Sequence, residues 1–426
     1  MEFSENFLHF IWKFRLLNTT ELFCTNGEAL QVLHPGIVNK NAGPDFEEAK
    51  IVIGKTTWAG QVEIHMQSSE WMLHGHHHNI AYDSVILHVV YKHDKPVYRT
   101  NGTLIPTLVL ENRFSPHLLT NYKTLMASVN SFPCKQHIAT VDPVIVESFL
   151  TRLMVERMEE KSREMLDQLK QHKGNWEQTF YCFLARNFGF KVNALPFGLL
   201  AEALPLYMLY KHKDKPMQIA ALIFGQAGFL EQDFFEDYPK ELKREYLFLR
   251  KKYRLQAIDK SLWKFLRMRP QNFPTVRLAQ FAALIAKTTP LFSSVLEGKQ
   301  LKDIYDLFED LPVGPFWENH YHFNKPAAKV ILQPGLASVH NIVINTVCLS
   351  LFSYGKYTGQ QEYADRALDF LEKMPPESNA VIRFYRNAGL RITNAFLSQA
   401  LLQLNKCYCN QKKCLNCGIG IKILKK

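Results

Sequence analysis

The chain has 426 residues, 47% hydrophobic and 21% charged, a composition that excludes intrinsic disorder and leaves room for two or three domains with cores of their own. A net charge of +11 and a sequence pI near 9.1 suit a polyanionic partner, nucleic acid foremost, although an excess of this size also serves solubility alone. No apolar run reads as the ~18 residues that a membrane helix needs, and residues 7–11 are too short and interrupted for a signal peptide, so the expectation is a cytoplasmic protein with no membrane partner.

In chain order, Phe3, Phe7, Phe10, Ile11 and Phe14 recur at helical spacing behind Ser4, which predicts a short first helix. Residues 21–32 read as a hairpin, because Thr25-Asn26-Gly27-Glu28 puts Asn-Gly between two apolar runs. Gly43-Pro44-Asp45-Phe46 then leads into a β run at 48–53, a turn at Gly54-Lys55 and a strand carrying Gly60-Gln61-Val62-Glu63-Ile64-His65. Of sixteen histidines, seven (His65, His74, His76, His77, His78, His88 and His93) crowd into residues 65–93. The β-branched residues at 85–91 predict a buried strand, and Pro106 makes 104–110 an edge strand.

The texture changes near residue 140. Asp142-Pro143 is an N-cap aspartate followed by proline at the first helical position, and most of the chain from there to Asn405 reads as helices broken at Leu195-Pro196, Lys215-Pro216, Tyr238-Pro239 and Met374-Pro375-Pro376. No fixed period of a helical solenoid is present. The predicted class is α+β: a small mixed β-sheet module with flanking helices at 1–135, a large irregular all-α domain at 141–405, and a Cys-rich metal-binding tail at 406–426.

Chemistry concentrates in the module. If Gly54 and Lys55 turn an antiparallel hairpin, paired positions sum to about 109 or 110, and Asp45 faces Ile64 or His65. Alternation sends Gln61, Glu63 and His65 to one face, so Asp45, Glu63 and His65 converge. Two neighbouring carboxylates call for a cation, and hard oxygen ligands favour magnesium or manganese. Such an ion polarises a phosphoryl oxygen while a nearby histidine orients or deprotonates water. Glu5 or Glu21 offers a further carboxylate. The plain alternative is a turn aspartate beside the solvated face of an amphipathic strand.

Pro44-Asp45, seventeen residues, Glu63-x-His65 on a strand, and then a strand at 85–91 resemble the PD-(D/E)xK (restriction-endonuclease-like) nuclease fold. The nearer likeness is to its mismatch-repair endonuclease branch, whose Trp-His-Gly-His run is similar to Trp71-Met72-Leu73-His74-Gly75-His76. That resemblance implies Asp45 and Glu63 as metal ligands and puts His65 where the family usually has lysine. Over its full length the chain also resembles an uncharacterised bacterial protein family with Asn-x-Gly-Pro-Asp-Phe, Val-Glu-Ile-His and a terminal cysteine cluster, a likeness that implies no function.

Elsewhere the chemistry is sparser. His74 and His76 are candidates to contact nucleic acid or simply to face water, Trp71 is a packing residue, and His88 interrupts an apolar strand and needs a partner if buried. Arg267, Arg269 and Arg277 with Phe273 could track phosphates and stack on a base, or pair within their own domain. The basic run at 240–254 reads as a solvated helix face. Cys24, Cys134, Cys182 and Cys348 read as buried free thiols, whereas Cys407, Cys409, Cys414 and Cys417 have the spacing of a tetrahedral zinc site, with an iron–sulfur cluster as the alternative. The expected function is a metal-dependent nuclease-like protein acting on nucleic acid, DNA in preference to RNA. Set against it are a non-catalytic nucleic-acid-binding or assembly protein, and a hydrolase of small substrates using the histidines and a transition metal.

Overall fold

The computed structural model describes residues 3–128, 132–288 and 290–426. They group into two units, one of residues 1–149, 387–390 and 404–426, the other of residues 150–386 and 391–403. The class is mixed α+β, an N-terminal sheet with helices followed by a large helical region, as the patterning predicts.

In the first unit, helix α1 (Glu5–Lys13) buries Phe7, Leu8, Phe10, Ile11 and Trp12, and the Trp12 indole N–H donates to the Pro35 carbonyl at 2.8 Å. The sheet is built from β1 (Leu30–His34), β2 (Ile37–Val38), β3 (Phe46–Ile53), β4 (Thr56–Gln67), β5 (Val85–Lys92) and β6 (Thr107–Val109). Its order is β1-β3-β4-β5-β6, with β2 also on β3. The β1, β2, β3 and β4 pairings are antiparallel, while β4, β5 and β6 run parallel. The chain returns from β4 to β5 through the one-turn helix α2 (Glu70–Leu73) and two short 3₁₀ turns. Every residue of 85–90 is buried, as an apolar run in a parallel strand should be. The predicted hairpin at 21–32 is reduced to one bridge, Phe23 with Ala29, around the Asn-Gly turn.

The β3–β4 hairpin turns at Gly54 (φ +60°), and Ile53 pairs with Thr56. Pairing keeps one register from Ile53 to Ala49 and then slips, so that Phe46 faces Val62. The extra residue is a β-bulge at Glu48, held at φ +58°. On β4, a Cβ at Gly60 would sit 2.5 Å from Ile86 Cγ2 and 2.8 Å from the Ser84 carbonyl, so only glycine lets β5 come this close.

The cysteine-bearing segment lies in the same unit. Asn121, on helix α3 (Pro116–Ala127), donates to the Leu424 carbonyl at 3.4 Å, and Lys412 Nζ to the Met126 carbonyl at 2.7 Å.

Helix α4 (Pro143–Gln171) starts where the sequence places it, with Asp142 Oδ1 accepting the Val144 N–H at 2.9 Å. The second unit packs Tyr181, Phe188 and Phe197 around Phe281. Its helix Asp237–Tyr253 carries the basic run on a solvated face, as predicted, with Lys243 and Arg244 in exposed ion pairs. Contrary to the sequence expectation, one described helix, Leu336–Thr358, is long and apolar enough to cross a membrane. Two-thirds of its apolar window (67%) is buried inside the protein, the situation of a core helix.

Candidate functional site

Asp45 stands at the entrance to β3, at the end of a loop tied by Asn39, whose side chain donates to the Pro44 carbonyl at 3.0 Å and accepts the Asn41 N–H at 2.8 Å. Because of the bulge, Asp45 lies opposite Glu63 and not Ile64 or His65, a one-residue correction to the hairpin arithmetic. The two residues clasp each other: the Asp45 N–H donates to Glu63 Oε2 at 3.0 Å, and the Ile64 N–H to Asp45 Oδ2 at 2.9 Å. The predicted convergence therefore holds, through a different register.

Helix α1 supplies two further groups. His9 Nε2 lies 3.3 Å from Asp45 Oδ2 and 3.7 Å from Glu5 Oε1, so of the two extra carboxylates suggested by sequence it is Glu5 that faces this site. Glu21 sits in an exposed loop whose carbonyl accepts from Arg113. Burial, reinforced by Asp45, Glu70 and Glu63 and opposed by His9, pushes the Glu5 carboxyl up to about 7. Burial also raises Glu63, with Asp45 adding to it and His76 opposing. Among the described residues no lysine or arginine pairs with Glu5, Asp45 or Glu63.

Behind Glu63 the histidines form a compact group. His65 Nε2 is 3.6 Å from Glu63 Oε1 and 3.1 Å from His74 Nδ1, while His65 Nδ1 is 2.8 Å from His88 Nε2. His88, a buried polar residue that needs a partner on its apolar strand, thus finds one. His76 is buried, unlike the solvated or nucleic-acid-facing residue expected; its ring stacks on Tyr82 at 3.8 Å and its Nε2 reaches 3.2 Å from Glu63 Oε1. His74 is exposed. Trp71 is fully buried against His76 and His88, the packing role expected of it. Burial, then the neighbouring His88, His76 and His74, lowers His65 to about 2, and burial lowers His88 to about 3. Both rings are therefore neutral at physiological pH.

One participant, His9, and the orientation of another, His76, are not foreseen from sequence. His9 has a signal, since it lies four residues from Glu5 on one helix face. The inward turn of His76 has none.

The arginine stretch of the second unit does not act as a group. Arg277 is buried, with guanidinium nitrogens donating to Gln280 at 3.0 Å, Asn272 at 2.6 Å and Ser338 at 2.8 Å, and lies 4.7 Å over the Phe190 ring. A helix that buries its whole first turn takes Arg277 with it, where its guanidinium is held by side chains of its own unit. Arg267 and Arg269 are exposed, and Phe273 is half-buried against Phe265 and His322.

Among the tail cysteines, Cys409, Cys414 and Cys417 are buried and Cys407 is half-buried. Cys134, an isolated thiol by sequence, is pushed up by burial and by Cys409, Cys417 and Cys414 beside it.

No curated protein and no solved structure matches the chain. A family model does match, over residues 5–380, a span that holds the Asp45–Glu63 site and stops short of the cysteine tail. The chain belongs to the DUF2851 family, proteins of unknown function.

Proposed function

We propose that this protein is a metal-dependent nuclease, hydrolysing phosphodiester bonds in nucleic acid at the Asp45–Glu63 site. The observation that carries the reading is the buried Glu63 carboxylate clasped to Asp45, with His9 set between Asp45 and Glu5 and, among the described residues, no basic side chain but histidine paired with any of the three. A buried carboxylate with two half-buried ones near it is costly unless a cation sits among them. The donor set fits a divalent ion such as magnesium or manganese, held by Asp45 and Glu63 with Glu5 able to join. Such an ion supplies Lewis-acid stabilisation of phosphoryl oxygens and a water nucleophile at neutral pH. The protein's own share is positional. Backbone N–H groups of Asp45 and Ile64 each hold one carboxylate oxygen, and an uncharged His65 stands 3.6 Å from Glu63 Oε1. The order of helix, antiparallel strands, crossover and parallel strand is the one the PD-(D/E)xK resemblance implies, and it supports the reading.

The tail belongs to the same proposal as a structural zinc element. The cysteines at 407, 409, 414 and 417 are the candidates, and Cys134 is a further buried thiol near three of them. Zinc content falling by one equivalent in Cys414→Ser is the expected result, and unchanged content refutes it.

Cleavage is tested with plasmid, single-stranded DNA and RNA in magnesium or manganese. Wild type should cut at least one, and Asp45→Ala should lose on the order of 100-fold or more in rate. If wild type and variant bind the substrates and leave them equally intact, the alternative of a non-catalytic nucleic-acid-binding protein takes over.

A further inference from the structure

Glu63 has two carboxylate oxygens with different surroundings. Oε2 accepts the Asp45 N–H on the carboxylate side, while Oε1 looks toward His65 and His76. On that histidine side, ligand atoms of His65, His74 and His76 all lie within 4.8 Å of one another. We propose that Glu63, His65, His74 and His76 form a second metal site, selective for a divalent transition metal of the zinc class, next to the carboxylate site and sharing Glu63 with it.

The spacing suits it. Four ligands at 2.0–2.1 Å from a tetrahedral zinc ion are about 3.3–3.4 Å from one another. Three of the six edges are 3.1 Å for His65 Nε2 to His74 Nδ1, 3.2 Å for His76 Nε2 to Glu63 Oε1 and 3.6 Å for His65 Nε2 to Glu63 Oε1, and the edges among the three histidines are all within 4.8 Å. Hydrogen bonding alone leaves the group incomplete. His76 is more than nine-tenths buried, yet its Nε2 makes no aligned hydrogen bond among the described residues, the 3.2 Å approach to Glu63 having the wrong direction for one. A buried ring nitrogen set beside a carboxylate without a bond between them is expected of two ligands facing a common ion, and a costly flaw otherwise.

The surroundings are those of a ligand shell. His65 Nδ1 is tied to His88 Nε2 at 2.8 Å, and His76 is stacked on Tyr82, so two of the three rings are held in orientation from behind. His74, the exposed member, gives an ion its way in from solvent. Three imidazoles and one carboxylate favour zinc, iron or cobalt over magnesium, which prefers oxygen and retains its water. Binding of this kind is independent of nuclease activity.

Cobalt(II) is the probe, titrated into the full-length protein without nucleic acid and followed by its visible absorption. Cys414→Ser is the background, which removes the tail as a competing thiolate site. The expected result is one equivalent of tetrahedral-type absorption without thiolate charge-transfer bands. His74→Ala should weaken binding by on the order of 100-fold and His78→Ala should leave it unchanged, with unaltered circular dichroism in both. A millimolar excess of magnesium should leave the cobalt bound, and zinc should displace it. Absorption that survives His74→Ala unchanged, absorption lost to magnesium, or no absorption in a folded protein each overturns the proposal. Loss of cleavage in Asp45→Ala with cobalt binding intact would separate this site from the carboxylate site.

Discussion

Glu63 and Arg277 are both charged side chains taken out of water, one in each unit, and their surroundings differ in kind. Arg277 spreads its charge over three neutral partners, Asn272, Gln280 and Ser338, and over the Phe190 ring, and only its Nε lacks a partner among the described residues. Glu63 is set instead among groups that disagree with it, a second carboxylate on one side and, on the other, a buried imidazole nitrogen that meets it without bonding. Burial alone therefore does not separate framework from function; what separates them is whether the buried charge is satisfied by the protein itself.

That contrast breaks most readily at Arg277. Arg277→Ala leaves two amides and a hydroxyl without their partner and should cost about 3 kcal/mol in urea unfolding while leaving metal binding in the first unit intact. An unfolding midpoint equal to wild type would remove Arg277 from the framework. Next comes Gly60→Ala. Its methyl collides with Ile86 and the Ser84 carbonyl, so it should cost about 1–3 kcal/mol and, by parting β4 from β5, loosen cobalt binding along with stability. Glu63→Gln sharpens the comparison from the other side. With metal removed by chelation, it should raise stability by about 1 kcal/mol, because it relieves a buried charge with no basic neighbour but histidine, while lowering cleavage on the order of 100-fold. A Glu63→Gln protein that is destabilised without metal would class Glu63 with Arg277. The smallest effect belongs to Arg269→Ala, exposed and expected within about 0.5 kcal/mol of wild type.

Much of the first unit is legible in the sequence because its signals are local. Gly54-Lys55 marks the hairpin turn, alternation chooses faces, and Asp142-Pro143 opens α4. Glu63 and His65 are within reach of those rules. Features beyond them are non-local or contrary to propensity. Nothing in a glutamate announces φ +58°, so the bulge at Glu48 and the true partner of Asp45 stay hidden. Cys134 is more than 270 residues from the cysteines around it, and no spacing rule connects them. Arg277 looks in sequence like any basic residue near a loop, and only the packing of a helix buried on all sides decides against exposure.

The bulge also has a bearing on how this site could be gained or lost over time. Pairing from Ile53 to Ala49 keeps one phase, and the single extra residue at Glu48 advances it before Asp45. Deleting Glu48 would remove only the extra residue and leave Asp45 opposite Glu63, whereas straightening the strand with Glu48 kept would let the regular phase run on, put Asp45 opposite Ile64 and carry its side chain to the other side of the hairpin. What the pairing depends on is the match in length between the two strands, so members of this family that lack one residue here would be expected to keep Asp45 opposite Glu63, and members with a flat strand of the same length to lose it.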